Sequence, residues 1–169
     1  MNKTQAADGT TEFTDIDQRS LASVIKLAVD NVAAGGGPFA ALVVRDGEVI
    51  ATGVNRVTRD LDPTAHAEIV AIRAACRRIG DFRLGGCTLV SSCEPCPMCA
   101  AAALWARVDR VVYAADRHAA ARAGFDDLAF YNLFATPRPQ WTVQVEHCPL
   151  PHSDAPFDAW LSRSGRIDY

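Results

Sequence analysis

Two short runs hold the side chains best suited to chemistry. One is D-P-T-A-H-A-E, with His66 and Glu68 two residues apart. The other is S-S-C-E-P-C-P-M-C-A, residues 91–100, with Cys93, Cys96 and Cys99 evenly spaced. Neutral imidazole and thiolate are ligands that zinc takes in tetrahedral geometry. Cys96 and Cys99 share one side of a helical turn. Pro97 suits the first helical position, where its missing N–H has no partner to serve. A helix N-terminus also favours thiolate over thiol. With His66 as the third ligand, one position on the metal stays open, which separates a catalytic zinc from a closed structural one. Zinc lowers the pKa of water held there from about 15.7 to about 7. Glu68 then has a role as proton shuttle, taking the proton and passing it to the substrate nitrogen and the departing group.

Other uses of these residues make different demands. A closed structural zinc needs a fourth ligand, for which Cys93, His118, His147, Cys148 and His152 are available. An iron–sulfur cluster could use all three cysteines, but the ferredoxin run needs a further Cys before Pro, and Ala103 and Leu104 stand there. H-x-E followed by P-C-x-x-C is the order found in zinc deaminases, and it favours the catalytic reading. Cys93 is expected to be a small buried residue beside the site, not a ligand.

The elements that must position these groups can be read from periodicity. Thr14 or Asp15 is expected to cap a helix with Ile16, Leu21, Val24, Ile25, Leu27 and Ala28 at helical spacing, ended by Gly35-Gly36-Gly37-Pro38. FAALVVR reads as a buried strand, Asp46-Gly47 as a hairpin turn and EVIATGVN as its partner. Residues 56–64 read as a loop and 65–79 as a helix ended by Gly80. CTLVSS is a short strand, 97–106 an Ala-rich helix, RVVYAA another strand and 117–134 a helix in pieces broken near Gly124. WTVQVE is expected to be a fifth strand before a Pro-rich, aromatic end. Strands interleaved with helices in this order predict an α/β fold with helices on both faces of a mixed sheet.

Composition limits the function. The chain has 169 residues, 49% of them apolar, which predicts one domain able to form a core without disulfides. The net charge of −3 and the lack of any Lys/Arg stripe argue against nucleic acid as the main partner. No apolar stretch approaches the roughly 20 residues of a membrane span. The opening MNKTQAADGTTEF lacks a secretory core, so residues 1–13 read as a flexible tail and 14–169 as the domain. Without an export signal the six cysteines point to metal or catalysis rather than disulfides, and the cytoplasm is the expected location.

The stretches GGPFAALVVRDG, DPTAHAEIVAIRAAC, SSCEPCPMCAAAALWARVDRVVYAA, AGFDD and PFDAW with its terminal Tyr resemble the bacterial guanine deaminases of the cytidine-deaminase-like superfamily. The zinc motifs mark the whole superfamily, including the tRNA adenosine deaminases, whereas AGFDD and the aromatic end narrow the match. The resemblance implies a three-layer α/β/α cytidine-deaminase-like fold with a five-stranded sheet. It also implies conversion of guanine to xanthine and ammonia, in purine catabolism or salvage. His66, Cys96 and Cys99 would hold one Zn2+ per chain, with Glu68 as the shuttle. Asn55, Phe39, Trp105, Asp127, Ala67 and Tyr169 would contact the purine, Phe39 and Trp105 as walls and Asp127 as acceptor for its N–H edge. Residues 147–169 would cover an active site, often the partner's, in a swapped homodimer.

Each of these pocket residues also has an ordinary use. Phe39 and Trp105 could be packing residues, Asn55 a turn former, and Asp126 or Asp127 a helix cap. Phe157, Trp160 and Tyr169 could be a docked tail. Ser91 and the Ala run after the cysteine pair depart from the family pattern. They leave open the breadth of substrate, to guanosine or ammeline-type aminotriazines, and not the reaction class; a deaminase of cytosine or tRNA adenosine is a second reading, and a structural-zinc domain the non-enzymatic alternative.

Overall fold

The protein is described here by a computed structural model covering residues 13–168. The tail predicted over 1–13 lies outside the described residues except for Phe13, and so does Tyr169. The chain divides at Tyr131/Asn132 into two compact units.

The first unit is a sheet between helices. Helix α1 (Asp15–Ala33) is started by Thr14, whose Oγ1 accepts the Asp17 N–H at 3.1 Å while Asp17 accepts the Thr14 N–H at 2.9 Å. This reciprocal capping box satisfies two donors that a helix start otherwise leaves unpaired. Asp17 is nearly buried and also accepts from Arg110 at 2.7 Å. Burial alone would raise its pKa. The bonds from Arg110 and Thr14 outweigh that and leave the carboxyl below its ordinary value.

Strands β1 (Ala40–Arg45) and β2 (Glu48–Val54) form the expected antiparallel hairpin. Strand β3 (Cys87–Cys93) pairs antiparallel with β1, and β4 (Arg110–Ala115) pairs parallel with β3, giving the order β2-β1-β3-β4. The alternation along β1 builds a core on each face. Ala41 and Val43 pack with Ala71, Ile72 and Leu89 on the side of helix α3 (Ala67–Ile79). Ala40, Leu42 and Val44 pack with Val24 and Ala28 of α1 on the other. This is the three-layer α/β/α arrangement expected from the sequence.

Helix α2 (Val57–Asp60) is a single turn inside the expected loop. Helix α3 (Ala67–Ile79) ends at Gly80, whose φ of 77° is the left-handed conformation glycine adopts without strain. Helix α4 (Pro97–Trp105) has Pro97 at its first turn, and α5 (Arg117–Arg122) and α6 (Asp127–Phe134) flank Gly124.

The sheet differs from expectation in one respect. Among the described residues it has four strands, not five. WTVQVE forms no ladder. It belongs to the second unit, where Thr142–Glu146 is exposed throughout, so its alternation has no core face to bury. That unit also holds a 3₁₀ turn at Arg138–Gln140 and helix α7 (Ala155–Ser162), and the ring of Phe134 lies 4.9 Å from that of Trp141. Among the described residues no helix is long and apolar enough to cross a membrane.

Candidate active site

Two helix starts converge to make the site. His66 is the N-cap of α3 and Cys96 the N-cap of α4. Both have extended backbone, and neither side chain makes a capping hydrogen bond. Each ligand thus sits just outside its helix with its side chain available, and Cys99 joins Cys96 from the first turn of α4. His66 Nδ1 lies 3.6 Å from each of the two sulfurs. A tetrahedral ion with Zn–S of about 2.3 Å and Zn–N of about 2.0–2.1 Å puts sulfur and nitrogen about 3.6 Å apart, so the residues fit zinc.

Among the described residues this is the one group of three or more His, Cys, Asp or Glu side chains close enough to share an ion. Within the first unit the structure does not bring Cys93 or His118 into it. Cys93 is buried at the end of β3, its thiol donating to the Asp116 carbonyl at 3.6 Å, and burial pushes its pKa up to about 11.

The electrostatics suit cation binding. The Cys96 thiol is drawn down to about 4, first by its hydrogen bond with Cys99 and then by His66. Cys99, the donor of that pair, is pushed up by the same bond and by burial. The hydrogen bond with Cys96 raises His66 in spite of burial. Two sulfurs sharing a proton beside an imidazole form a site that a dication completes by displacing that proton.

Glu68 is 6% exposed, and burial raises its pKa. Its Oε1 accepts the Ser91 hydroxyl at 3.1 Å across from β3. Ser91 is thus one of the groups that orient the carboxylate.

A cavity of about 230 Å³ opens onto His66, Glu68 and Cys96. Phe39 lines it, in edge-to-face contact with Phe125 at 4.7 Å and 79°. Asn55, just past β2, and Asp127, at the start of α6, face the same space. The Asp127 carboxyl is raised first by burial and then by the charge of Cys96.

Two expected contacts do not line this cavity. Trp105 is 62% exposed at the end of α4, with the Arg107 guanidinium 5.8 Å from its ring centre. Ala67 is fully buried at the first position of α3. Five liners escaped the sequence: Gly37, Val57, Thr58, Glu94 and Phe125. Phe125 sits within AGFDD, and Glu94 immediately precedes Pro95-Cys96. Both adjoin motifs the sequence singled out, but nothing local shows which way their side chains turn.

The match to known proteins agrees with this architecture. Residues 14–115 match the cytidine and deoxycytidylate deaminase zinc-binding region, and the chain belongs to that family. The family binds zinc, and the cluster of His66, Cys96 and Cys99 is the group placed to hold one ion per chain. The chain is 45% identical over 150 residues to the guanine deaminase of Bacillus subtilis (strain 168), covering 88% of this chain and 96% of that one. The solved structure of guanine deaminase from Bacillus subtilis superposes with a TM-score of 0.87 at 44% identity, covering 90% and 98% of the two chains. A tRNA-specific adenosine deaminase from Aquifex aeolicus (strain VF5) is 36% identical over 118 residues, covering 69% of this chain and 74% of that one.

Proposed function

We propose that this protein hydrolyses guanine to xanthine and ammonia. The observation that carries the reading is a single cavity lined by His66 and Cys96 of the zinc triad, the buried Glu68, an aromatic pair and two hydrogen-bonding side chains, Asn55 and Asp127. Guanine is flat and rimmed with donors and acceptors, and a pocket for it needs apolar walls and a few fixed polar groups.

Zinc, when bound, supplies a Lewis acid that lowers the pKa of water toward neutrality. The chain's own groups do the rest. Glu68, held by Ser91, takes one proton from the attacking water to the ring nitrogen beside C2 as the C2–O bond forms, then carries the proton of the hydroxyl now on C2 to the amino group, which leaves as ammonia as the C2 carbonyl forms. Burial raises its pKa toward the working pH, where a shuttle is most effective.

The edge-to-face pair of Phe39 and Phe125 supports a reading in which the two together form one apolar wall for the ring, with Phe125 added to the walls the sequence proposed. Asp127 accepts from the N–H edge and Asn55 pairs with the opposite edge. The main-chain N–H of Ala67, in the first turn of α3 where helices leave donors unpaired, is available to a ring oxygen or nitrogen. A base lacking these donors would leave buried acceptors unpaired, which discriminates strongly.

Residues 14–169 are proposed to act as one cytoplasmic deaminase domain. Its likeness to bacterial guanine deaminases favours a homodimer in which residues 147–169, ending at Tyr169, cover the partner's site. The deciding experiment measures product from guanine, guanosine, cytosine, ammeline and a tRNA anticodon stem-loop side by side. Guanine is expected to give xanthine and ammonia in equal amounts. Turnover of another substrate with none of guanine overturns the proposal. A structural-zinc domain would instead turn over nothing and lose zinc on replacing Cys93, Cys148, His147 or His152.

A further inference from the structure

Helix α6 carries Asp127 to the cavity, yet it buries no residue. An eight-residue helix is marginal alone, and no apolar stripe here gives it a place. Something else must set Asp127 at its working position. The Phe125 ring against Phe39 anchors the chain two residues before it. On the far side stands Tyr131, one turn after Asp127 and on the same helical face.

The Tyr131 hydroxyl donates to the carbonyl of Pro95, the residue before the ligand Cys96. Its ring lies under the Arg117 guanidinium, 3.6 Å from the ring centre. Arg117 in turn grips Glu94 through Nη2 and through Nε at 3.0 Å, while its main-chain N–H reaches the same carboxylate at 3.0 Å. The Arg117 and Glu94 side chains are only 31% and 12% exposed, so this pair is far less screened than an ordinary surface ion pair. It also occupies a carboxylate that faces the cavity and would otherwise compete with Asp127 for the substrate's donors.

We propose that Tyr131, backed by Arg117 and Glu94, is a positioning residue for Asp127. It ties the helix that recognises the substrate to the loop that carries a metal ligand. The proposal rests on the guanine reading for what Asp127 recognises, but not for the brace itself.

The test is a double-mutant cycle of Tyr131→Phe, which removes only the hydroxyl, with Asp127→Asn. Steady-state kinetics on guanine are measured with zinc content checked in every variant. Tyr131→Phe is expected to raise KM about tenfold with kcat within about twofold. In the Asp127→Asn background the same change is expected to add less than about twofold. An unchanged KM, the full effect persisting without Asp127, or loss of zinc in Tyr131→Phe would each overturn the proposal. Amide exchange over residues 127–134 reads the brace without substrate. It should accelerate in Tyr131→Phe and in Arg117→Met, and unchanged protection in both overturns the brace whatever amine the protein turns over. Absence of guanine turnover in the unaltered protein, with that acceleration present, sinks only the guanine reading.

Discussion

Glu68 is a buried carboxylate that costs the fold stability and, in the proposed mechanism, transfers the protons. Burial raises its pKa, so the folded protein binds the proton more tightly than the unfolded chain does. The sign follows from linkage. As pH rises above the ordinary Glu value, the metal-free protein loses stability through this group, until the pH passes the raised folded value. Glu68→Gln keeps the volume and can still accept from Ser91, but it cannot take a proton. The expected outcome is a fall in kcat of about 10²–10⁴-fold with zinc content unchanged. Thermal unfolding of the metal-free variant at neutral pH should show a higher Tm than the metal-free parent. Full activity in this variant would remove Glu68 from the mechanism.

The starts of α3 and α4 aim the ligands, so the packing of these helices controls metal geometry. At Gly53 in β2 the sheet lies directly against the main chain of α3. A Cβ there would come within 2.2 Å of the Ala67 carbonyl oxygen and 2.5 Å of the Ala71 nitrogen. These are main-chain atoms and cannot rotate away. Gly53→Ala should push the N-terminus of α3, with His66 and Glu68, off its seat. A destabilisation of about 1–3 kcal/mol is expected from overpacking, along with weaker zinc retention in competition with a chelator. Denaturant unfolding and zinc titration measure the two effects. An equal loss of stability with zinc affinity intact would mean that α3 yields elsewhere.

At the scale of the molecule, zinc links the two helix starts and so contributes to folding as well as chemistry. An ion that binds only the folded state stabilises by RT ln(1 + [L]/Kd), about 4.1 kcal/mol at a thousandfold excess over Kd. Removing zinc with a chelator should abolish turnover and lower Tm by several degrees. One equivalent of zinc should restore both. Scanning calorimetry before and after metal removal tests this, and an unchanged Tm would mean that the sheet and its two cores hold the ligands in place without the ion.

Local pattern was enough for much of this protein. The types and spacing of His66, Cys96 and Cys99 named the metal and pointed to Glu68 as the proposed shuttle, because zinc chemistry depends on a few side chains at helix starts that capping rules can place. The hairpin at Asp46-Gly47, the cap at Thr14 and the stop at Gly80 were legible for the same reason, since each is set by residues within one turn of itself. What lay beyond reach depended on partners distant in the chain. The T-V-Q-V-E alternation in WTVQVE has the period of a strand, but a strand also needs a neighbour to bond, and period alone does not supply one. An aromatic end to α4 and an aromatic in AGFDD look alike as wall candidates. Only the folded backbone turned Trp105 outward and set Phe125 against Phe39. Glu94 read as part of a cysteine motif until Arg117, 23 residues on, was seen to hold it beneath Tyr131. The ligand chemistry is local and survives in the sequence, whereas the shape of the pocket is a sum of long-range contacts that exists only once the chain has folded.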